Sequence, residues 1–351
     1  MRISDMPRGA WAGLAAALLF GASTPLAKLL LAQTSPWMLA ALLYLGSGLG
    51  LAAVRFLRGA ERPARGEARW LAAAVACGGV AGPVLLMFGL SGMHASSASL
   101  LLNAESVFTA LLAWFVFREN FDRRIALGMV AIVAGGLLLA WPGRMDLPGW
   151  QPALCVAGAC LAWALDNNLT RKVSLNDATW IAMVKGLAAG ATNLGLALVL
   201  GAHWPSPSVV SGAALLGFAS YGASLALFVV ALRELGAART GAYFSVAPFF
   251  GAVLAILLLG EPVTATLLGA GVLMAIGVAL HLTERHEHPH AHEPMAHAHE
   301  HVHGDGDPHH DHPHEPPVAP GTRHSHPHRH EPLVHTHAHF PDAHHQHVHK
   351  T

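Results

Sequence analysis

Apolar runs of about 17 to 24 residues recur ten times along this chain of 351 residues, with short connections between them. A helix rising roughly 1.5 Å per residue needs about 20 apolar residues to cross a hydrocarbon core roughly 30 Å thick. The runs fall at about 10 to 31, 37 to 54, 70 to 90, 95 to 117, 125 to 141, 151 to 170, 178 to 201, 209 to 232, 238 to 259 and 264 to 282. Their lengths predict an all-α integral membrane protein with ten transmembrane helices, the lipid bilayer being its first partner. The first run is longer than the apolar core of a signal peptide and lacks a clear small-residue cleavage site, so it is expected to stay as the first helix.

Charge divides the chain. The composition is 53% hydrophobic and 12% charged, with a formal net charge of zero. Residues 1–283 carry 17 Lys and Arg against 11 Asp and Glu, whereas 284–351 carry 4 against 10. Of 26 histidines, His94, His203 and His281 alone precede that junction. Cys77, Cys155 and Cys160 lie within apolar runs without metal-type spacing, which predicts small buried residues and no disulfide framework. Fifteen Lys and Arg fall in one set of alternate connections and at the ends of the chain, against two, Lys28 and Arg144, on the other side. The positive-inside rule then places both termini in the cytoplasm of a multi-pass protein of the cell (inner) membrane.

The two halves resemble each other at an offset of about 142 residues. "LLNAESVFTALLAWFVFREN" (101 to 120) lies over "AYFSVAPFFGAVLAILLLGEP" (242 to 262), bringing Glu119 onto Glu261. "FGASTPLAK" (20 to 28) lies over "WALDNNLTR" (163 to 171). Five spans per half is an odd number, so the second half would be inverted in the membrane. Inverted repeats are typical of secondary transporters, whose substrate site lies between the halves near the midplane.

These features resemble the EamA-like family of the drug/metabolite transporter superfamily: two five-helix repeats, "FG" and "AW" near the start of each half, and a Glu closing the fourth helix of each in "FREN" and "LGEP". The resemblance covers about residues 10 to 282 and implies an exporter of a small solute without naming the solute. The divisions that follow are a cytoplasmic N-terminus at 1–9, repeats at 10–141 and 151–282, and a tail at 283–351. One departure is the polar segment "WALDNNLTRK" at the end of the sixth span.

Ionisable residues within spans are costly and mark pathways or interhelical partners. Glu105 falls in the middle of the fourth span, two residues after Asn103, and is a candidate proton-coupling carboxylate or cation ligand. Asp166, Asn167 and Asn168 lie near the cytoplasmic end of the sixth span, and Lys185 at a similar depth in the seventh, so Asp166 and Lys185 are expected to pair. Asn193 and Tyr221 are candidates for the same pathway, although single polar residues in spans more often join helices. Glu119 and Glu261 precede the next helices and are expected to cap them.

The tail is itself duplicated. At an offset of 38, His286, His288, His290, His292, His297, His299 and His301 fall on His324, His326, His328, His330, His335, His337 and His339. At an offset of 35, "HHDHPH" (309 to 314) falls on "HHQHVH", which supplies His344, His345, His347 and His349. Neutral imidazole suits Zn, Ni, Co and Cu, and residues two apart in an extended chain point the same way, so each HxH offers two nitrogens to one ion. With frequent prolines and no apolar set, the metal-free tail is expected to be disordered.

Three functions stay open on this reading. The first is a secondary transporter, most simply an exporter, of a small solute, with a cytoplasmic metal-binding tail and no cofactor required for transport. The second is a divalent metal (Zn, Ni or Co) exporter whose tail collects the cargo. The third is a membrane-anchored metal store or sensor. No nucleophile and base suggest an enzyme, nothing suggests nucleic acid as a partner, and a homodimer is compatible with all three.

Overall fold

The computed structural model describes residues 8–58, 68–117, 123–141, 147–171, 178–228, 230–231 and 243–282, with 287–292, 296–302, 323–329 and 333–338 in the tail. The chain divides into two units, Met1–Glu284 and Arg285–Thr351. In the first, the helices are α1 (Arg8–Gly21), α2 (Ser23–Leu31), α3 (Pro36–Arg58), α4 (Ala68–Ala74), α5 (Gly82–Gly92), α6 (Ala95–Leu101), α7 (Ala104–Phe117), α8 (Arg123–Ala140), α9 (Leu147–Arg171), α10 (Ala178–Val199), α11 (Pro207–Gly217), α12 (Ala247–Leu259) and α13 (Ala265–Leu282). Among the described residues, five helical segments are long and apolar enough to cross a membrane: Gly9–Leu31, Pro36–Leu57, Arg69–Gly92, Thr179–Val199 and Pro207–Phe228. Shorter apolar helices span Ala126–Ala140, Ala247–Leu259 and Ala265–Leu280. Large apolar side chains such as Leu49, Val130, Leu215 and Leu257 face outward, as lipid contact requires.

Two of the long segments contain π-helical turns, Val75–Ala81 between α4 and α5 and Phe218–Ala223 after α11. Their first residues are 143 positions apart and their last 142. Helix breaks recur at the same spacing, with turns at Leu102 and Asn103 and again at Ser245 and Val246. The local distortions of one half therefore return in the other.

Small residues set the crossing of α3 and α10. A Cβ on Gly48 of α3 would stand 2.5 Å from the backbone nitrogen of Leu187 in α10, and one on Gly190 would stand 2.7 Å from that of Leu45 in α3. Adding 142 to Gly48 gives Gly190, and subtracting it from Leu187 gives Leu45, so each contact is the other with the halves exchanged. Elsewhere α5 packs on α9, α8 on α13, α6 on α12, and α1 on the second π-helical turn. The core of buried Met38, Leu39, Leu43, Leu86, Met87 and Leu90 joins α3 to α5.

The second unit departs from the expectation of a disordered tail. Its described residues form four strands, β1 (Glu287–His292), β2 (Ala296–Val302), β3 (Arg323–Arg329) and β4 (Leu333–Ala338). β1 pairs antiparallel with β4, and β2 with β3. Prolines 289 and 327 sit inside these strands, which a ladder of only two strands tolerates because each strand keeps one free edge. His286, His330, His339, His344, His345, His347 and His349 lie outside the described residues.

Candidate functional site

Glu105 does not sit mid-helix. The run expected to be one continuous span, 95 to 117, breaks at Leu102 and Asn103, and Glu105 occupies the first turn of α7. The break is held by short-range bonds: the N–H of Asn103 donates to the Leu100 carbonyl at 3.1 Å, that of Glu105 to Leu102 at 3.1 Å, and that of Ser106 to Asn103 at 3.2 Å. Buried Asn103 turns its amide to the Leu100 carbonyl at 2.9 Å, and the Cys160 thiol of α9 lies 3.7 Å from the Leu101 carbonyl and 3.9 Å from that of Leu102. Glu105 Oε1 accepts a hydrogen bond from Asn167 Nδ2 at 2.7 Å.

One residue before Asn167, Asp166 forms a second node. Lys185 Nζ lies 2.6 Å from both of its carboxylate oxygens, Thr170 Oγ1 donates to Oδ1 at 2.9 Å, and Lys185 also reaches Thr170 at 3.2 Å. Asp166 is 6% exposed. The carboxylate rests against Gly78 in the first π-helical turn, so close that a Cβ there would overlap Asp166 Oδ2.

The π-helical turn frees carbonyls that an α-helix would occupy, and side chains from three helices take them. Tyr44 Oη donates to the Gly78 carbonyl at 2.8 Å, Trp163 Nε1 to the same oxygen at 3.0 Å, and Asn193 Nδ2 to Gly79 at 3.0 Å. Asn193 Oδ1 is buried without a hydrogen-bond partner. Tyr221 stands in the second π-helical turn, its ring 5.4 Å from that of Tyr44 and 5.9 Å from that of Phe20. Phe20 in turn meets Trp163 at 6.5 Å and Phe244 at 5.4 Å. An aromatic surface thus adjoins the polar nodes of α9, an arrangement able to hold a small solute with an apolar body and a polar or charged group.

Of the residues expected in this region, Glu105, Asn103, Asp166, Asn167, Lys185, Asn193 and Tyr221 belong to these nodes. Asn168 does not, because its amide returns to the Ala164 carbonyl of its own helix at 2.8 Å. Tyr44, Trp163 and Phe20 were not expected at this site, although Phe20 and Trp163 belong to the "FG" and "AW" near the start of each half: aromatic residues in apolar runs carry no local mark of where they point. Among the described residues of the first unit, no three His, Cys, Asp or Glu side chains gather in a way that could hold a metal ion.

At the end of the bundle where α5 stops and α6 begins, two long-range caps close the helix ends. Lys28 Nζ donates to the carbonyls of Leu90 and, at 2.9 Å, Met93 at the C-terminus of α5. Glu261 takes the N–H groups of Ala95 at 2.7 Å and Ser96 at 2.8 Å, with His94 Nδ1 3.7 Å away. Glu261 therefore caps α6 and not the helix that follows it in sequence, whose start is capped by Thr264 through the Leu267 N–H at 3.1 Å. Glu119 lies outside the described residues. Partial burial by itself would raise the Glu261 pKa. The bonds from Ser96 and Ala95 and the nearby His94 outweigh it and hold the carboxyl below its ordinary value.

Comparison with known proteins adds the following. The description of the EamA-like transporter family matches residues 7–141 and 150–283. A protein of Methanothermobacter thermautotrophicus named only as an uncharacterized transporter is 30% identical over 285 residues, covering 76% of this chain and 83% of its own length. A protein of known crystal structure aligns with a TM-score of 0.56 at 19% identity, over 78% of this chain and 94% of that one, a likeness of fold alone.

Proposed function

This chain belongs to the EamA-like transporter family, and from that premise we propose that it is a secondary transporter that exports a small solute across the cell inner membrane by alternating access between two inverted five-helix repeats. The observation that carries this reading is the exchange symmetry of the α3 and α10 crossing, in which Gly48 on Leu187 is mirrored by Gly190 on Leu45. The paired π-helical turns and paired helix breaks support it. A count of ten spans, with both termini cytoplasmic, follows from the apolar runs and the distribution of Lys and Arg.

The solute binds at the broken helix, where interrupted helices of transporters present charge and free backbone groups near the midplane. Glu105, at the start of α7 and tied to α9 through Asn167, couples occupancy of the site to the relative position of the two halves. The tail at 283–351 binds Zn, Ni, Co or Cu. Its 23 histidines also favour the second reading, export of one of these metals collected by the tail. Cellular Zn, Ni, Co and Cu are measured by mass spectrometry in cells expressing the full chain, residues 1–283, or full-length Glu105→Gln. A fall in one metal that Glu105→Gln abolishes identifies that metal as cargo; unchanged content assigns the site to an organic solute. Solute efflux by Glu105→Gln at the wild-type rate would remove this carboxylate from the mechanism.

A further inference from the structure

The tail is a direct repeat, yet its strands pair antiparallel, and the spacing of its histidines reconciles the two. Glu287 stands opposite Ala338 and Val302 opposite Arg323, so fifteen steps forward along one strand path match fifteen steps back along the other. Both ladders hold a single register, first copy against second. In that register every even-numbered residue faces an odd-numbered one. Histidines kept at every second position throughout would have one parity, and the even offset of 38 would give the second copy the same parity. Each histidine would then oppose another residue type.

The module avoids this by one irregular step. Histidines are even from His286 to His292 and odd from His297 to His301, and the second copy repeats the change between His330 and His335. The five-residue step makes each copy complementary to its own duplicate when the two run antiparallel. The observed pairs are His288 with His337, His290 with His335, His297 with His328, His299 with His326 and His301 with His324.

We propose that transition-metal ions are held between the two copies, one site on the β1/β4 ladder from His288, His290, His335 and His337, and another on the β2/β3 ladder from the three pairs there. This inference rests on the reading of the tail as a metal binder and specifies how the site is built. Positions two apart share a face of a strand, and directly opposed positions share that face with Cβ atoms about 4.5 to 5.5 Å apart. The register thereby sets four histidines on two adjacent opposed pairs of one ladder, and four imidazoles are the number that fills a tetrahedral shell with bonds of about 2.0 to 2.1 Å. A lone two-stranded ladder is marginal in water, so the ion and the strand pairing stabilise one another.

The test is a Zn titration of the purified full-length protein against a competing chelator, with residues 1–283 as the baseline. The variants are His288→Ala/His290→Ala, His335→Ala/His337→Ala and all four together. A site shared between copies loses tenfold or more in affinity with either pair, and the quadruple variant loses the same one ion. Losses that add, each pair removing one ion and the quadruple two, overturn the shared site while leaving the tail a metal binder. Full-length protein that binds no more Zn than residues 1–283 overturns the metal-binding reading itself.

Discussion

Buried Asp166 and half-buried Lys185 are held together with Thr170 as a third partner, and the distance of 2.6 Å leaves no room for water between them. Such a pair adds little net stability over apolar residues of similar size, but loss of one member strands the other charge at a cost of about 3 to 5 kcal/mol. Lys185→Met is therefore expected to lower thermal stability in detergent sharply, and Asp166→Asn combined with it to recover most of the loss. Equal instability of the single and double variants would show that the two charges do not act as a unit. Gly78 completes this arrangement, because any Cβ there displaces the Asp166 carboxylate. Asp166 and Lys185 were legible as partners because their two runs are joined by a short connection at one end of the bundle. The tie from Asn167 to Glu105 was not legible, since it depends on how α9 rotates against α7.

Helix ends show most clearly what local sequence can specify. Glu261 accepts two N–H bonds at the start of α6, more than 160 residues away, and no pattern around "LGEP" marks that partner. Thr264 caps its own helix and obeys the local rule. A carboxyl whose pKa is lowered by folding contributes stability that is complete above its unfolded value, about 4.3, and is lost as the pH falls through the folded value. Melting temperature is thus expected to drop on acidification from that ordinary carboxylate value downward, with a shallower drop in Glu261→Gln. Parallel curves for the two proteins would dissociate the cap from acid sensitivity. Runs of sufficient length were readable because burial in lipid requires about 20 apolar residues whatever their order. Interruptions inside a run were not, since the turn at Leu102 and Asn103 and both π-helical turns change hydrogen bonding without changing hydropathy. Asn103 was the one local sign: an N-cap residue type followed by Glu105 in the position a first turn favours.

On the scale of the whole molecule, alternating access demands that contacts at one end of the bundle open while those on the pseudo-symmetry axis persist. In the proposed inverted repeat the α3 and α10 crossing would lie on that axis, since its two glycine contacts exchange with each other. The end where Glu261 caps α6 and Lys28 caps α5 is held by bonds between segments distant in sequence. In the proposed orientation this is the non-cytoplasmic mouth, and the proposed mechanism requires these bonds to part there during transport. His94→Cys and Glu261→Cys, in a background where Cys77, Cys155 and Cys160 are alanine, place two thiols across that mouth. Oxidation is expected to stop solute efflux from loaded vesicles and reduction to restore it, with the reduced double variant as the reference for losing the cap. Efflux that continues under a complete cross-link would mean that this end never opens, and with it alternating access between the two halves would fail as the mechanism.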